Sequence, residues 1–269
     1  MTTDLAPDGI SRKYERLLAV VVANLGRVAF SGGVDSTLLL RVLIEVAPSR
    51  AVALFADSVL QSQVDRDNVS WLANRLGAKL MVVAISPLAW ADFAANSPAR
   101  CYLCKQSVYR RFLALSPPGT LLLDGTNLDD LNASRPGQRA IEELGVVSPL
   151  ALAGLRKAEV REMARWLGLP NWNRPSSSCL ATRIPAVFPI LPELLRYVEE
   201  GECLIRAMGF GHVRLRLNHG RTEDVTVELA EEEMLGRDFP ARRDSIAAEL
   251  RMLGVVRVSF VGRPGVFCS

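Results

Sequence analysis

Histidine is scarce in this chain of 269 residues: His212 and His219 are the only two. That count excludes an all-histidine metal site and leaves a serine–histidine triad little to draw on. No apolar run is long enough to span a bilayer. The opening residues MTTDLAPDG carry neither the basic segment nor the apolar core of a secretory signal. A net charge of +3 is too small to argue for a nucleic-acid partner, although it leaves room for a local basic patch. Internal repeats and low-complexity segments are missing as well. Five cysteines, an odd number in a chain without a signal, point to the cytoplasm and to thiol or metal chemistry rather than disulfides. Apolar residues make up 49% of the chain, enough for a buried core in one large domain or in one medium and one small domain.

The most informative stretch is Arg27 to Leu40, RVAFSGGVDSTLLL. Val28 to Phe30 read as a short strand, SGGVDS as a glycine turn, and Thr37 to Leu40 as the start of a helix. Paired glycines let backbone N–H groups crowd round an anion, and the orphan donors and dipole of a helix start favour negative charge there. Ser31, Ser36 and Thr37 add hydroxyls, so the expected ligand is a phosphate group held by Ser31, Gly32, Gly33 and Ser36. No Gly-Lys-Ser/Thr follows, so this is not a Walker A loop. Asp35 would be repelled by polyphosphate unless a cation intervened, which makes Mg2+ its natural partner. Capping the following helix is its alternative role.

Further along, Ser11 to Leu25 reads as an amphipathic helix. Ala51 to Ala56 is a continuous apolar run, as in a parallel strand buried on both faces, and it ends in Asp57 and Ser58. Val64 to Leu76 reads as a helix closed by Gly77, and Lys79 to Ile85 as a third strand. Thr120 to Leu123 gives a fourth, ending in Asp124, Gly125, Thr126 and Asn127. Strands alternating with helices at this spacing predict a doubly wound α/β fold with a parallel sheet. Asp57, Ser58 and Gly125 then lie at strand ends, where such sheets bind ligands, and complete an ATP-sized site with the glycine loop. Within Ser148 to Pro170, Lys157 and Arg161 fall one helical turn apart near a helix start and could face the same phosphates. After Pro185 the texture changes. A proline-punctuated passage leads to helix Glu193–Met208, strand His212–Leu217, strand Asp224–Leu229, helix Pro240–Leu253 and strand Val255–Val261. The expected organisation is a nucleotide domain over 1–185 and a small C-terminal α+β domain over 186–269.

Cys101 and Cys104 form a C-x-x-C in ARCYLCKQ, which suits two zinc ligands, half of an iron–sulfur site, or a redox dithiol. Cys179 stands alone in NRPSSSCLATRIP, flanked by Arg174, Ser176 to Ser178 and Arg183, a polar cationic loop that favours a thiolate. Cys203 and Cys268 lie in the tail and look less apt. Three cysteines without a partner histidine suggest a [4Fe–4S] cluster with three protein ligands and one open iron. A plain packing role for the thiols is the alternative.

SGGVDS resembles the PP-loop of the ATP pyrophosphatase superfamily, with its adenine nucleotide alpha hydrolase-like fold, whose members cleave ATP between the α and β phosphates. In order and spacing, SGGVDS, FAANSPARCYLCK, LLDGTNLDDL with RPGQRA, SPLALAGLRKAEVREMARWLGLP, RPSSSCLATRIP and FGHVRLRLNHG are similar to the LarE-type sacrificial sulfur transferases of nickel-pincer nucleotide cofactor biosynthesis. The likeness runs from about Val28 to Leu229. It implies adenylation of a carboxylate of pyridinium-3,5-biscarboxylic acid mononucleotide by ATP, with Lys157 on the pyrophosphate and Cys179 as the sulfur-carrying cysteine. In one branch that cysteine gives up its own sulfur; in the other, Cys101 and Cys104 join it on a [4Fe–4S] cluster, the branch that the C-x-x-C favours. Arg214 and Arg216, on one strand face, match the family's phosphate-binding arginines, with Arg183 grouped beside them, and Glu202 matches a metal-associated glutamate. The implied partners are a small-molecule nucleotide and further copies of the chain in a homo-oligomer, without membrane. RIPAVFPI and the C-terminal RPGVFCS depart from the family's pattern. The remaining readings are a PP-loop tRNA thiolase, an ammonia-dependent amidating ligase of the NAD synthetase kind, and a non-catalytic nucleotide sensor.

Overall fold

A computed structural model describes residues 8–133 and 136–263. The N-terminal residues 1–7, Arg135 of the RPGQRA motif, Cys268 and the divergent C-terminal residues from 264 on lie outside the described part. The described chain divides into two compact units: residues 8–58, 63–85 and 101–176, and residues 59–62, 86–100 and 177–263.

In the first unit, β1 (Gly26–Ala29), β2 (Val52–Asp57), β3 (Lys79–Ala84) and β4 (Leu121–Leu123) form one parallel sheet in the order β3-β2-β1-β4. β1 is central, with Val28 opposite both Ala53 and Leu123. Successive side chains of a strand point to opposite faces, and each face here has its own core. Ala53 and Phe55 join Val28, Leu39, Leu43 and Val160 in one cluster, whereas the intervening Leu54 joins Val83, Tyr109, Phe112 and Leu122 in another. Helices Asp8–Ala23, Val34–Val46 and Lys157–Trp166 supply the first cluster, and helix Arg100–Ala114 the second. Apolar cores on both faces make this the expected doubly wound α/β sheet. β3 is an edge strand, so its apolar run is not wholly buried: Val82 remains exposed.

The second unit carries a mixed sheet. β5 (Arg214–Asn218) runs antiparallel to β6 (Arg221–Ala230), which pairs in parallel with β7 (Arg257–Arg263). Strict alternation on β5 buries Leu215 and Leu217 and leaves Arg214, Arg216 and Asn218 half-buried on the other face. Helices Pro192–Ala207 and Phe239–Met252 bury Leu195, Val198, Ile205, Ile246 and Leu250. Among the described residues no helix is long and apolar enough to cross a membrane.

Candidate active site

The glycine loop is tighter than its sequence suggests. Helix Val34–Val46 starts inside SGGVDS, with Gly33 as its N-cap, so Asp35 and Ser36 lie in the first turn and Asp35 is not the cap. No side chain caps this helix, which leaves first-turn N–H groups for a ligand. The hydroxyls hold the loop's shape. Ser31 Oγ and Ser36 Oγ lie 3.2 Å apart, and Ser36 Oγ and Thr37 Oγ1 donate to the Gly33 carbonyl at 3.1 and 2.8 Å. Gly32 turns through φ +71, a conformation natural to glycine. Its carbonyl is held by two amides, Asn68 Nδ2 at 3.2 Å and the buried Asn171 Nδ2 at 3.1 Å.

Beside the loop, Asp35 accepts from Asn127 Nδ2 at 3.1 Å and pairs with the Lys157 ammonium. Lys157 opens helix Lys157–Trp166, and its backbone N–H donates to Asp129 Oδ2 at 2.8 Å. Asn127 also caps the short helix Leu128–Asn132 by accepting from the N–H groups of Asp129 and Asp130. Gly125 lies against the loop: a Cβ there would be 2.9 Å from Ser36 N and 3.1 Å from Asp35 Cβ. Behind it the buried Asp124 accepts from Thr126 N and Oγ1, Ser148 Oγ, Tyr109 Oη and Lys105 Nζ at 2.7–3.3 Å. Burial, and then the Asp124 carboxylate, push the Tyr109 hydroxyl well above its ordinary range, so it stays a donor.

Cys101 and Cys104 stand at i and i+3 on helix Arg100–Ala114 and therefore share one face, Cys101 exposed and Cys104 half-buried. Two thiols so spaced fit two ligands of a cluster. Among the described residues no group of three or more His, Cys, Asp or Glu side chains is arranged to hold a metal ion.

Cys179, half-buried, precedes the short helix Leu180–Arg183 in the second unit. Arg183 organises this loop from below: its Nη1 donates to the Ser178 carbonyl and hydroxyl at 2.9 and 2.8 Å, and to the Cys179 carbonyl at 3.3 Å. Its Nε donates to Glu202 Oε1 at 2.7 Å. The fully buried Glu202 also accepts from Arg206 Nη2 at 2.7 Å and from the Leu215 N–H at 3.1 Å. On β5, Arg216 pairs with Glu228 and donates through Nη1 to the Thr182 carbonyl at 2.7 Å. Arg183 and Arg216 line a cavity of about 390 Å³ together with Pro185, Phe188, Asn218 and Asp224.

No protein-family model matches the chain. It is 37% identical over 191 residues to an uncharacterized protein of Synechocystis sp., covering 70% of this chain and 71% of that protein. It is 32% identical over 242 residues to the pyridinium-3,5-bisthiocarboxylic acid mononucleotide synthase of Lactiplantibacillus plantarum, covering 88% of this chain and 86% of the synthase. The chain belongs to that synthase's family, the LarE-type sulfur transferases. A glutamine-hydrolyzing GMP synthase of Aeropyrum pernix is 29% identical over 221 residues, 74% of this chain and 42% of that enzyme. That more distant likeness fits the PP-loop superfamily around the LarE-type family.

Within this LarE-type chain, the first unit gathers Ser31, Gly32, Gly33, Asp35, Ser36, Gly125 and Lys157 round one helix start. Asp57 ends β2 with its carboxylate held by Arg66 Nε at 2.9 Å, and Ser58 follows, buried, its carbonyl accepting from Arg66 Nη2 at 3.0 Å. Arg161 is engaged differently from the expected phosphate contact. It is buried, and its guanidinium donates to the carbonyls of Trp172 and Arg174 at 3.0 and 2.9 Å, bracing the chain that leads to Cys179. Arg183 lines the cavity while its guanidinium is held by the buried ion pair with Glu202 and by the Ser178 and Cys179 carbonyls. Glu202, expected beside a metal, has both oxygens occupied by arginines and an amide. Asn68 and Asn171 lie outside the quoted motifs and Asn127 lies within LLDGTNLDDL, but sequence reasoning passed over the contacts all three make with the loop.

Proposed function

We propose that this protein is an ATP-dependent sulfur transferase that adenylates a carboxylate of pyridinium-3,5-biscarboxylic acid mononucleotide and converts it to a thiocarboxylate. The observation that carries the reading is the uncapped helix start at Gly33 with Asp35 and Lys157 paired beside it, in a chain whose likeness to the synthase extends over most of both lengths. The loop N–H groups and Lys157 bind and orient the ATP phosphates. A carboxylate oxygen of the substrate attacks the α-phosphorus, and pyrophosphate leaves. Asp35 is the group that would hold Mg2+ on the polyphosphate, and that ion would neutralise phosphate charge.

Cys179 takes the sulfur-carrying role. Its Sγ attacks the acyl carbon of the adenylate, AMP leaves, and a thioester joins cysteine to substrate. Cleavage of the Cβ–Sγ bond with loss of the α-proton then frees the thiocarboxylate and leaves dehydroalanine. The shared face of Cys101 and Cys104 supports a second sulfur source. These two thiols would give a [4Fe–4S] cluster two of its ligands, and such a cluster would supply a sulfide in place of the cysteine sulfur.

The test is turnover of anaerobically purified protein with ATP and the biscarboxylated nucleotide. AMP and pyrophosphate should form only with the nucleotide present, and Cys179→Ala should abolish the thiocarboxylate. Thiocarboxylate made by Cys179→Ala sinks the assignment, and ATP turnover stimulated by tRNA instead points to a thiolase. Protein mass decides the sulfur source. Loss of the mass of one hydrogen sulfide molecule marks sacrifice of Cys179, whereas an iron–sulfur absorbance with unchanged mass marks relay.

A further inference from the structure

The segment where this chain departs from the family's pattern takes a strained path. Val187 lies at φ +68, a left-handed conformation that β-branched residues avoid, and at 77% exposure the residue is not held there by packing. The restraint comes from Asn96. Fully buried, and itself at φ +59, Asn96 donates through Nδ2 to the carbonyls of Pro185 and Phe188, both at 2.8 Å. Its own carbonyl accepts from Val187 N at 3.4 Å, and the Ala94 carbonyl accepts from Ile190 N at 2.8 Å. Strain of this kind persists only where the surroundings over-determine the conformation, and it clusters at functional sites.

What the turn delivers is the position of one aromatic ring. Phe188 packs so closely on Gly220 that a Cβ there would lie 2.5 Å from Phe188 Cδ1. The same residue lines the cavity of about 390 Å³, a size suited to a small ligand. The other lining groups carry charge of both signs. Asp224 accepts from Asn218 Nδ2 at 2.8 Å and pairs with Arg257. Arg216 spends Nε and Nη1 on the protein, while its Nη2 makes no bond within the described residues. A π face near a carboxylate favours a flat cation, and a guanidinium favours an anion. Together they suit a cationic aromatic ring that bears an anionic group.

We propose that Phe188 is a specificity-determining residue whose ring stacks on the pyridinium ring of the nucleotide, with Asn96 as the positioning residue that sets it there. This rests on the function proposed above. Nicotinate mononucleotide, a pyridinium ribotide, serves as the probe in calorimetric titrations of the full chain. Phe188→Leu keeps apolar bulk but loses the π face and should bind the probe about tenfold more weakly, while Phe188→Tyr should bind as the wild type does. Phe188→Trp should add quenching of indole fluorescence on probe binding beyond that of the wild type. Asn96→Asp keeps the size of the side chain, removes the amide donor, and should weaken binding to a similar degree. The doubly substituted protein should then bind no more weakly than Phe188→Leu, which a general structural defect at Asn96 would not produce. Wild-type binding with equal affinity in Phe188→Leu overturns the stacking role and leaves the proposed function standing. A wild-type protein that neither binds the probe nor forms AMP from the biscarboxylated nucleotide overturns the function itself, and the stacking role with it.

Discussion

Lys157 and Asp35, 122 residues apart in sequence, form an ion pair beside the glycine loop. Under the proposed function each would be the other's placeholder: the ammonium would turn to polyphosphate as the carboxylate took up a cation. Lys157→Ala should therefore lower kcat/KM for ATP by about 10²-fold, the usual effect of losing one preorganised charge or donor. Asp35→Asn should raise the magnesium concentration needed for half-maximal rate. Pyrophosphate release at varied ATP and magnesium separates the two effects, and an unchanged kcat/KM in Lys157→Ala would remove Lys157 from the phosphate site.

Gly125→Ala tests the close approach of the β4 loop to the helix start. The added methyl would meet Ser36 N at 2.9 Å and the Asp35 backbone carbon at 3.1 Å, backbone atoms that cannot swing aside. Overpacking of this kind costs about 1–3 kcal/mol. ATP affinity should fall along with the melting temperature, whereas Gly77→Ala, at a glycine with open space around it, should lower only the melting temperature.

Glu202→Gln should be severe although the residue lies far along the chain from the cysteine. The substitution strips the buried Arg183 and the partly buried Arg206 of their common counter-charge, a loss of about 3–5 kcal/mol for a buried pair. Urea unfolding measures it. Because Arg183 holds the Ser178 and Cys179 carbonyls, alkylation of Cys179 should also quicken in native buffer.

Burial, with the positive charge of Arg263 second, lowers the His212 pKa below its ordinary value. The folded protein keeps His212 neutral at pH values where the unfolded chain has begun to bind a proton. This residue's contribution is thus intact above about pH 6.5 and is lost as the pH falls toward the depressed folded value. His212→Gln should flatten that part of the stability-against-pH curve, read as the difference between the two proteins from pH 7.5 to 5.

The sheet was legible because its signals are local. AVALFA and KLMVVAI announce parallel strands by composition, and a glycine pair between a strand and a helix announces a tight turn. The start of the helix was less legible, since Val34 and Asp35 read equally well as loop until Gly33 takes the cap. Arginine roles were the least legible. Nothing near Arg161 or Arg183 in the chain reveals whether a guanidinium will meet a phosphate, a carbonyl or Glu202, because tertiary packing chooses the partner. Asn171 shows the same limit. Its value lies in two donors aimed at Gly32 and Thr37, and sequence records an asparagine without recording its aim.

Asp124 collects hydrogen bonds from its own loop, from Ser148, and from Lys105 and Tyr109 on the helix that bears the C-x-x-C. A helix advances about 5.4 Å per turn, and sliding the cysteine helix by even part of that distance would strip both bonds from a carboxylate that water cannot reach. The two thiols are thus indexed against Gly125, like a gear tooth against its pawl. Inserting or deleting one residue between Cys101 and Lys105 would rotate Cys101 through about 100° and out of register.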